Sequence, residues 1–254
     1  MITLKNFFSH FREMSGGSLQ QKQVDNMTDI IDTMGIDVAA MALGYEDEKL
    51  LTVEKLRSIY PNADTEFVDI INTYAPQFEI NTKRRMALFL AHTIHESLGY
   101  TRLSESFNYR PQRLRAVFPS RIPSVQFASD LIAKGQPAIA NFLYGGRYGN
   151  GKNNNDGWDY RGRGIGHLTF KDNYTTMHGI MVNLGITEYD IVKNPELLSQ
   201  KIPAVVTFMA FWKHHNLNDY ADKNMVTAST KVINGGYNGV KDRIALYNKA
   251  SAVL

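Results

Sequence analysis

The chain has 254 residues, 43% hydrophobic and 21% charged, enough for one sizeable core and too apolar for disorder. It contains no cysteine, which excludes disulfide staples and any cysteine-based zinc site. The formal net charge is +3, yet residues 1–50 hold four basic and eight acidic side chains. The larger C-terminal part therefore carries the positive excess, which suits an anionic polymer such as peptidoglycan or nucleic acid.

The elements follow in chain order. Met1 to Phe11 carries three Phe and one Lys, without an apolar run ahead of a small-residue cleavage site, so no signal peptide is read. This first segment reads as helical, broken at Ser15, Gly16 and Gly17. Ser18 and Gln21 have the spacing of a capping box. Val24, Met27, Ile31 and Met34 then share one helix face, and Gly35 stands where a C-terminal cap belongs. Gly44 to Lys49 reads as a connection, which makes residues 1–48 an accessory helical segment and 49–254 the main domain. Thr52 caps a short predicted helix with Val53, Leu56 and Ile59, closed by Pro61. A long helix is predicted from Asn81 or Thr82 to Gly99, burying Met86, Phe89, Leu90 and Thr93. The stretch 141–166 holds eight glycines and cannot be one helix; it reads as a long loop with room for a short hairpin. Pro203 occupies an N1-like position of a helix carrying Val205, Phe208, Met209 and Trp212. A last helix is predicted to hold Val240, Ile244 and Tyr247. Apolar stretches such as Val38–Leu43 and Met86–Ala91 are too short to span a bilayer. The fold class is mainly α.

Hydrolysis of a glycosidic bond needs one protonated carboxyl and one ionised carboxylate, held in different environments. Glu96 lies near the C-terminal end of the long predicted helix, close in angle to Phe89 and Thr93. Partial burial and the negative end of the helix dipole both favour its neutral form, as a general acid requires. Glu105 follows nine positions later in the polar stretch Ser104-Glu105-Ser106, where a wetter site keeps it ionised. Among 25 acidic residues such a pair carries little weight by itself; its neighbourhood decides. His92, His95 and Glu96 invite a zinc reading, but H-x-x-H-E is not a zincin order. His95 reads instead as a neighbour that positions the acid or the helix end. Gly162, Gly164 and Gly166 lack the spacing of a dinucleotide loop, and no G-K-[ST] ending marks a phosphate loop. No metal or other cofactor is expected.

Several strings then point one way. Ala91-His92-Thr93-Ile94-His95-Glu96-Ser97 resembles the A-x-x-x-H-E-[ST] segment of family 19 glycoside hydrolases, the chitinase-like group that includes many phage endolysins. Ser104 to Tyr109, Tyr144 to Asn150, Asp156 to Gly164, Ile233 to Gly236 and Asp242-Arg243 resemble further signatures of that family in the same order. The match covers roughly residues 50–254. It implies a mainly α, two-lobed, lysozyme-like fold, with the small helical segment preceding it, and an inverting mechanism without cofactor. By resemblance Glu96 is the general acid, Glu105 the general base, and Thr169 helps hold the attacking water. Asn173, Asn234 and Arg243 would bind sugar or orient the carboxyls. Arg243 is equally compatible with a structural ion pair to Asp242 or another acid, and Asn234 with a turn before Gly235.

Tyr109, Tyr144, Trp158 and Tyr160 fall in the same strings, and aromatic planes pack on the apolar faces of sugar rings. Trp158 and Tyr160 also fit a small core beneath the loop. His167 stands where the family often has Gln, and adds a titratable group to a sugar-contact position. Phe170 stands where Gly is frequent. The short span between the carboxylates is that of bacterial and phage members rather than plant chitinases. The expected partner is therefore the glycan strand of peptidoglycan, not nucleic acid or a membrane interior, for a monomeric endolysin made in the host cytoplasm and carried to the wall by other means. Residues 11–25 resemble short leader helices of phage lytic proteins, with packing on the catalytic domain as the default role. Chitin as substrate, a non-catalytic wall-binding or virion protein, and a wall-degrading toxin with an immunity partner remain alternatives.

Overall fold

The computed structural model describes residues 3–43 and 49–254. The chain divides into two compact units, Met1–Lys49 and Leu50–Leu254. The first holds α1 (Leu4–Met14), α2 (Gln21–Met34) and α3 (Ile36–Ala42). Thr3 caps α1 by accepting from the Asn6 N–H at 3.2 Å. Phe7 is fully buried, packed by Phe8, Phe11, Met27, Ile31, Ile36 and Leu43. The expected break at Ser15–Gly17 is present. The cap of α2 differs from expectation: Ser18 lies ahead of the helix, its carbonyl accepting from the Ser15 hydroxyl at 2.7 Å. Gln20 starts the helix instead, and its N–H donates to Gln23 Oε1 at 2.9 Å. Gly35, at φ 84°, ends α2 as expected. Most of the connection expected over Gly44–Lys49 lies outside the described residues.

The second unit begins with α4 (Val53–Ile59), whose N–H of Lys55 donates to Thr52 Oγ1 at 3.2 Å. Next come α5 (Phe67–Tyr74) and α6 (Lys83–Ser97), the latter capped by Thr82. Helix α6 is buried from Met86 to Ile94 on all sides, more than the single stripe that periodicity indicates. Leu98, Gly99 and Tyr100 are then left-handed in succession, which turns the chain sharply back. Gly99 is obligatory here: a Cβ would sit 2.6 Å from the Tyr60 ring, at φ +68°.

Three helices follow, α7 (Pro111–Val117), α8 (Val125–Ala133) and α9 (Gln136–Tyr144). With Phe107 and Ile122 they form a small second core. The glycine-rich stretch is loop except for the end of α9 and one turn, α10 (Asp156–Asp159). Isolated bridges, Ser104 to Arg163 and Arg163 to Leu168, help tie it down. The main core is completed by α11 (Lys171–Asn183), α12 (Lys201–His214), α13 (Leu217–Asp222), α14 (Val226–Asn234) and α15 (Val240–Val253). Trp212 is fully buried there, edge-on to Phe89 with centroids 5.5 Å apart. These two hydrophobic clusters are the two lobes of a mainly α fold.

One helix starts earlier than expected, and another buries a residue that the sequence did not single out as core. Helix α12 starts at Lys201, two residues before Pro203. Proline is tolerated there because the first-turn N–H groups have no intrahelical partner anyway. Helix α15 buries Arg243, Leu246 and Ala250, while Ile244 stays 36% exposed. A buried guanidinium is not visible to hydrophobic periodicity. Among the described residues no helix is long and apolar enough to cross a membrane.

Candidate active site

The turn after α6 brings Glu105 back toward Glu96. The Glu105 N–H donates to the Gly162 carbonyl at 2.8 Å, and the Gly164 N–H donates to Leu103 at 2.9 Å. The segment carrying Glu105 is thereby laid along the glycine loop. Glu96 and Glu105 then line one cavity of about 510 Å³, together with Arg102, Ser106, Asn108, Tyr109, Tyr144, Gly162, His167 and Thr169. Its walls come from both lobes: Glu96 from α6 in the main core, Tyr109 and Tyr144 from the small one. His167 and Thr169 also line an adjoining cavity of about 500 Å³, with Asn173, Asn234, Tyr148, Phe208 and Phe211. The two hollows meet at those shared residues.

The environments of the two carboxyls are not those expected from sequence. Glu105 is the desolvated one. Burial pushes its carboxyl above the usual range, while hydrogen bonds from Tyr144 and Gly162 and the charge of Arg161 pull the other way. The Tyr144 hydroxyl donates to Oε1 at 2.9 Å and the Gly162 N–H to Oε2 at 3.2 Å. A Cβ on Gly162 would meet Glu105 Oε2 at 3.2 Å and Thr169 Oγ1 at 3.3 Å, so no larger residue fits without moving both. Glu96, with its side chain 18% exposed, accepts instead from Arg243 Nη2. The polar stretch around Glu105 gave no sign of this. Its partners lie 39 and 57 positions away, and they supply the burial.

Arg243 is itself fully buried. It lies behind Glu96 and lines neither hollow. The alternative pairing with Asp242 is set aside, because Asp242 Oδ2 meets His95 Nδ1 at 2.5 Å. His95 thus ties the end of α6 to α15. His92 is taken up on both ring nitrogens, by Arg243 at 2.9 Å and Ser229 at 2.8 Å, so it presents no free ligand atom for a metal shared with His95.

Thr169 sits beside Glu105, its hydroxyl donating to the His167 carbonyl at 3.0 Å. His167 adopts φ +50°, and burial holds its imidazole below the usual value, with the charge of Glu96 acting in the opposite direction. Asn173 donates to the Thr169 carbonyl at 2.7 Å and stays exposed. Asn234 ends α14, exposed on the groove, with Gly235 as its left-handed cap. Both Asn side chains therefore face the adjoining hollow.

Two aromatic residues sit elsewhere. Tyr160 is 6% exposed in the main core and donates to the Val192 carbonyl at 2.9 Å, which leaves no face for a sugar ring. Trp158 packs against the small core, with the Arg161 guanidinium 3.7 Å above its ring. Arg161 and Arg163 both pair with Glu196, so the residues flanking Gly162 are anchored from below. Ser106 and Asn108 line the cavity and lie within the string that marks Glu105, so sequence could have indicated them. Arg102, Phe208 and Phe211 carry no local signal.

The sequence matches no family model. It is 34% identical over 190 residues to a "Glycosyl hydrolase family 19 domain-containing protein" of Haemophilus influenzae, covering 74% of this chain and 90% of that relative. The chain belongs to glycoside hydrolase family 19. It is a chitinase-like glycoside hydrolase. Among solved structures it is similar to chitinase C from Streptomyces griseus HUT6037, at 19% identity and a TM-score of 0.48, covering 82% of this chain and 94% of that one. A point mutant of the same chitinase matches equally. The family strings read from sequence fall on both walls of this hydrolase's groove.

Proposed function

We propose that this hydrolase is an endolysin that cleaves β-1,4-glycosidic bonds of bacterial peptidoglycan by an inverting mechanism, for host-cell lysis. It works as a monomer, made in the host cytoplasm and reaching the wall through another carrier. The observation that carries the reading is the pair of carboxyls on one groove between two lobes, each carboxyl held by different partners. An inverting pair needs roughly 6.5–9.5 Å between carboxyls to admit a water. In this reading Glu105 is the general base. Its desolvated carboxylate binds a proton more tightly than an exposed one, which makes it a stronger base near neutral pH. Tyr144 and Gly162 fix its two oxygens, and Thr169 lies where the attacking water would be held. Glu96 donates the proton to the leaving oxygen. Arg243 stabilises the carboxylate that donation leaves behind. Tyr109, His167, Asn173 and Asn234 contact the sugar chain. The short span between the carboxylates, as in bacterial and phage members of the family, favours peptidoglycan over chitin.

Digestion of purified peptidoglycan and of chitin oligosaccharides, with product masses and reducing ends determined, tests this. New reducing ends from peptidoglycan are expected, and the α-anomer should appear first. Release of free amino groups without reducing sugars would overturn the reading. Cleavage of chitin alone would reassign the substrate, and β-anomeric products would exclude inversion.

The acidic limb of the pH profile offers a second check. The Tyr144 hydroxyl stabilises the ionised form of Glu105, so removing it raises the carboxyl further. Activity that requires ionised Glu105 is lost as pH falls through that value. Tyr144→Phe should therefore move the acidic limb of kcat/KM to higher pH. An unmoved limb, or one displaced downward, would contradict Glu105 as the base.

A further inference from the structure

Behind Glu96, Arg243 is backed by two buried polar groups, His92 and Ser229, that the hydrolytic scheme does not use. Arg243, His92 and Ser229 are each fully buried, on α15, α6 and α14 respectively. Their chemistry fixes the direction of every hydrogen bond. A guanidinium has only donors, so Arg243 Nη1 donates to His92 Nδ1 at 2.9 Å. His92 Nδ1 is therefore unprotonated. Its Nε2 carries the proton and donates to Ser229 Oγ at 2.8 Å. The Ser229 hydroxyl, now an acceptor, spends its own proton on the Val226 carbonyl at 2.9 Å. At the other end Arg243 Nη2 donates to Glu96 Oε1. Burial, then the charges of Arg243 and His95, hold the His92 imidazole well below its usual value, which agrees with a neutral ring. Arg243 Nε finds no hydrogen-bond partner among the described residues. The guanidinium is thus held from two sides only, by His92 and by Glu96.

We propose that His92 and Ser229 are positioning residues, which hold Arg243 against Glu96 and so set the orientation of that carboxyl. The proposal rests on Glu96 being the proton donor. His92 comes from the same helix as Glu96, whereas Arg243 and Ser229 tie that helix to α15 and α14. The Val226 carbonyl terminates the chain on rigid backbone. Loss of the Ser229 oxygen frees the imidazole to change tautomer, and an Nδ1–H would then confront an Arg243 N–H. The guanidinium would turn away and Glu96 would lose its fixed rotamer. His92→Gln preserves the pattern, since an amide oxygen can accept from Arg243 while its NH2 donates to Ser229.

The test compares Ser229→Ala, His92→Leu and His92→Gln, each checked for folding by circular dichroism and thermal midpoint. Misplacing a catalytic group by under an ångström costs on the order of 10- to 100-fold. Ser229→Ala and His92→Leu are therefore expected to lower kcat about 10- to 100-fold with KM little changed, and His92→Gln to recover most of the loss. In an Arg243→Lys background the Ser229→Ala loss should vanish, because the relay acts only through the guanidinium. Folded Ser229→Ala with full kcat would overturn the proposal, and so would an undiminished loss in the Arg243→Lys background. Two spectroscopic readouts do not depend on turnover. The ¹⁵N spectrum of His92 should show Nδ1 unprotonated and Nε2 protonated, and the Glu96 carboxyl ¹³C signal should move in Ser229→Ala. A protonated Nδ1 or an unmoved Glu96 signal refutes the relay. If the wild-type protein cleaves no glycan but both signals behave as stated, the hydrolytic assignment fails while the relay stands.

Discussion

Glu96→Gln is expected to fold normally and to lose on the order of 10²- to 10⁴-fold in turnover of natural glycan, the usual loss when a general acid or base is removed. The isosteric amide still fills the space above Arg243 but has no proton to give. Folding should survive, because the side chain lies on a groove rather than in the core. Glu105→Gln should cost a similar factor, for the opposite reason: the amide cannot take a proton from water. The leaving group separates the two roles. With an aryl glycoside whose leaving group needs no protonation, Glu96→Gln should recover most of its rate, and Glu105→Gln should not. The reverse pattern would exchange the assignments. The environment of Glu105 bears on this measurement, since burial raises its carboxyl above the usual range. Thr169→Ala should lose less than either, because it deletes one hydroxyl beside the water and leaves both carboxyls in place.

Gly166→Ala is expected to cost about 3 kcal/mol of stability, from overpacking alone. A Cβ at this position would lie 2.0 and 2.3 Å from Cδ2 and Cε2 of Phe208. The ring is held by its aromatic neighbours. It is 6% exposed, with Phe89 at 5.8 Å and Phe211 stacked at 5.7 Å. For a domain of this size the midpoint should fall by roughly 6–12 °C. Gly236→Ala is the control, because its Cβ would meet nothing closer than Asn234 Oδ1 at 3.9 Å. Equal midpoints for the two variants would show that the Gly166 contact relaxes without cost. The damage should also reach activity, since His167, the next residue, lines both hollows of the groove.

Local chemistry in the chain was sufficient for several features. Thr52 and Thr82 cap the helices they were expected to cap, because a threonine oxygen satisfies an N–H two or three residues ahead whatever the rest of the fold does. Gly35 closes its helix because a residue without Cβ takes positive φ at little cost. The ordered strings around Glu96, Glu105, Gly162 and Asn234 sufficed to place the chain in its family and to bring out the residues of one groove. Those signals are short-range or depend on residue identity, so they survive without coordinates. What only the tertiary structure decided is how each carboxyl is surrounded. Tyr144 and Gly162 reach Glu105 from 39 and 57 positions away, and Arg243 reaches Glu96 from 147. Periodicity placed Val240, Ile244 and Tyr247 on α15 but gave no sign that Arg243 turns inward, where Glu96 and His92 supply the partners that a buried guanidinium requires. Desolvation and charge pairing depend on distance in space, and spacing along a chain does not encode that distance.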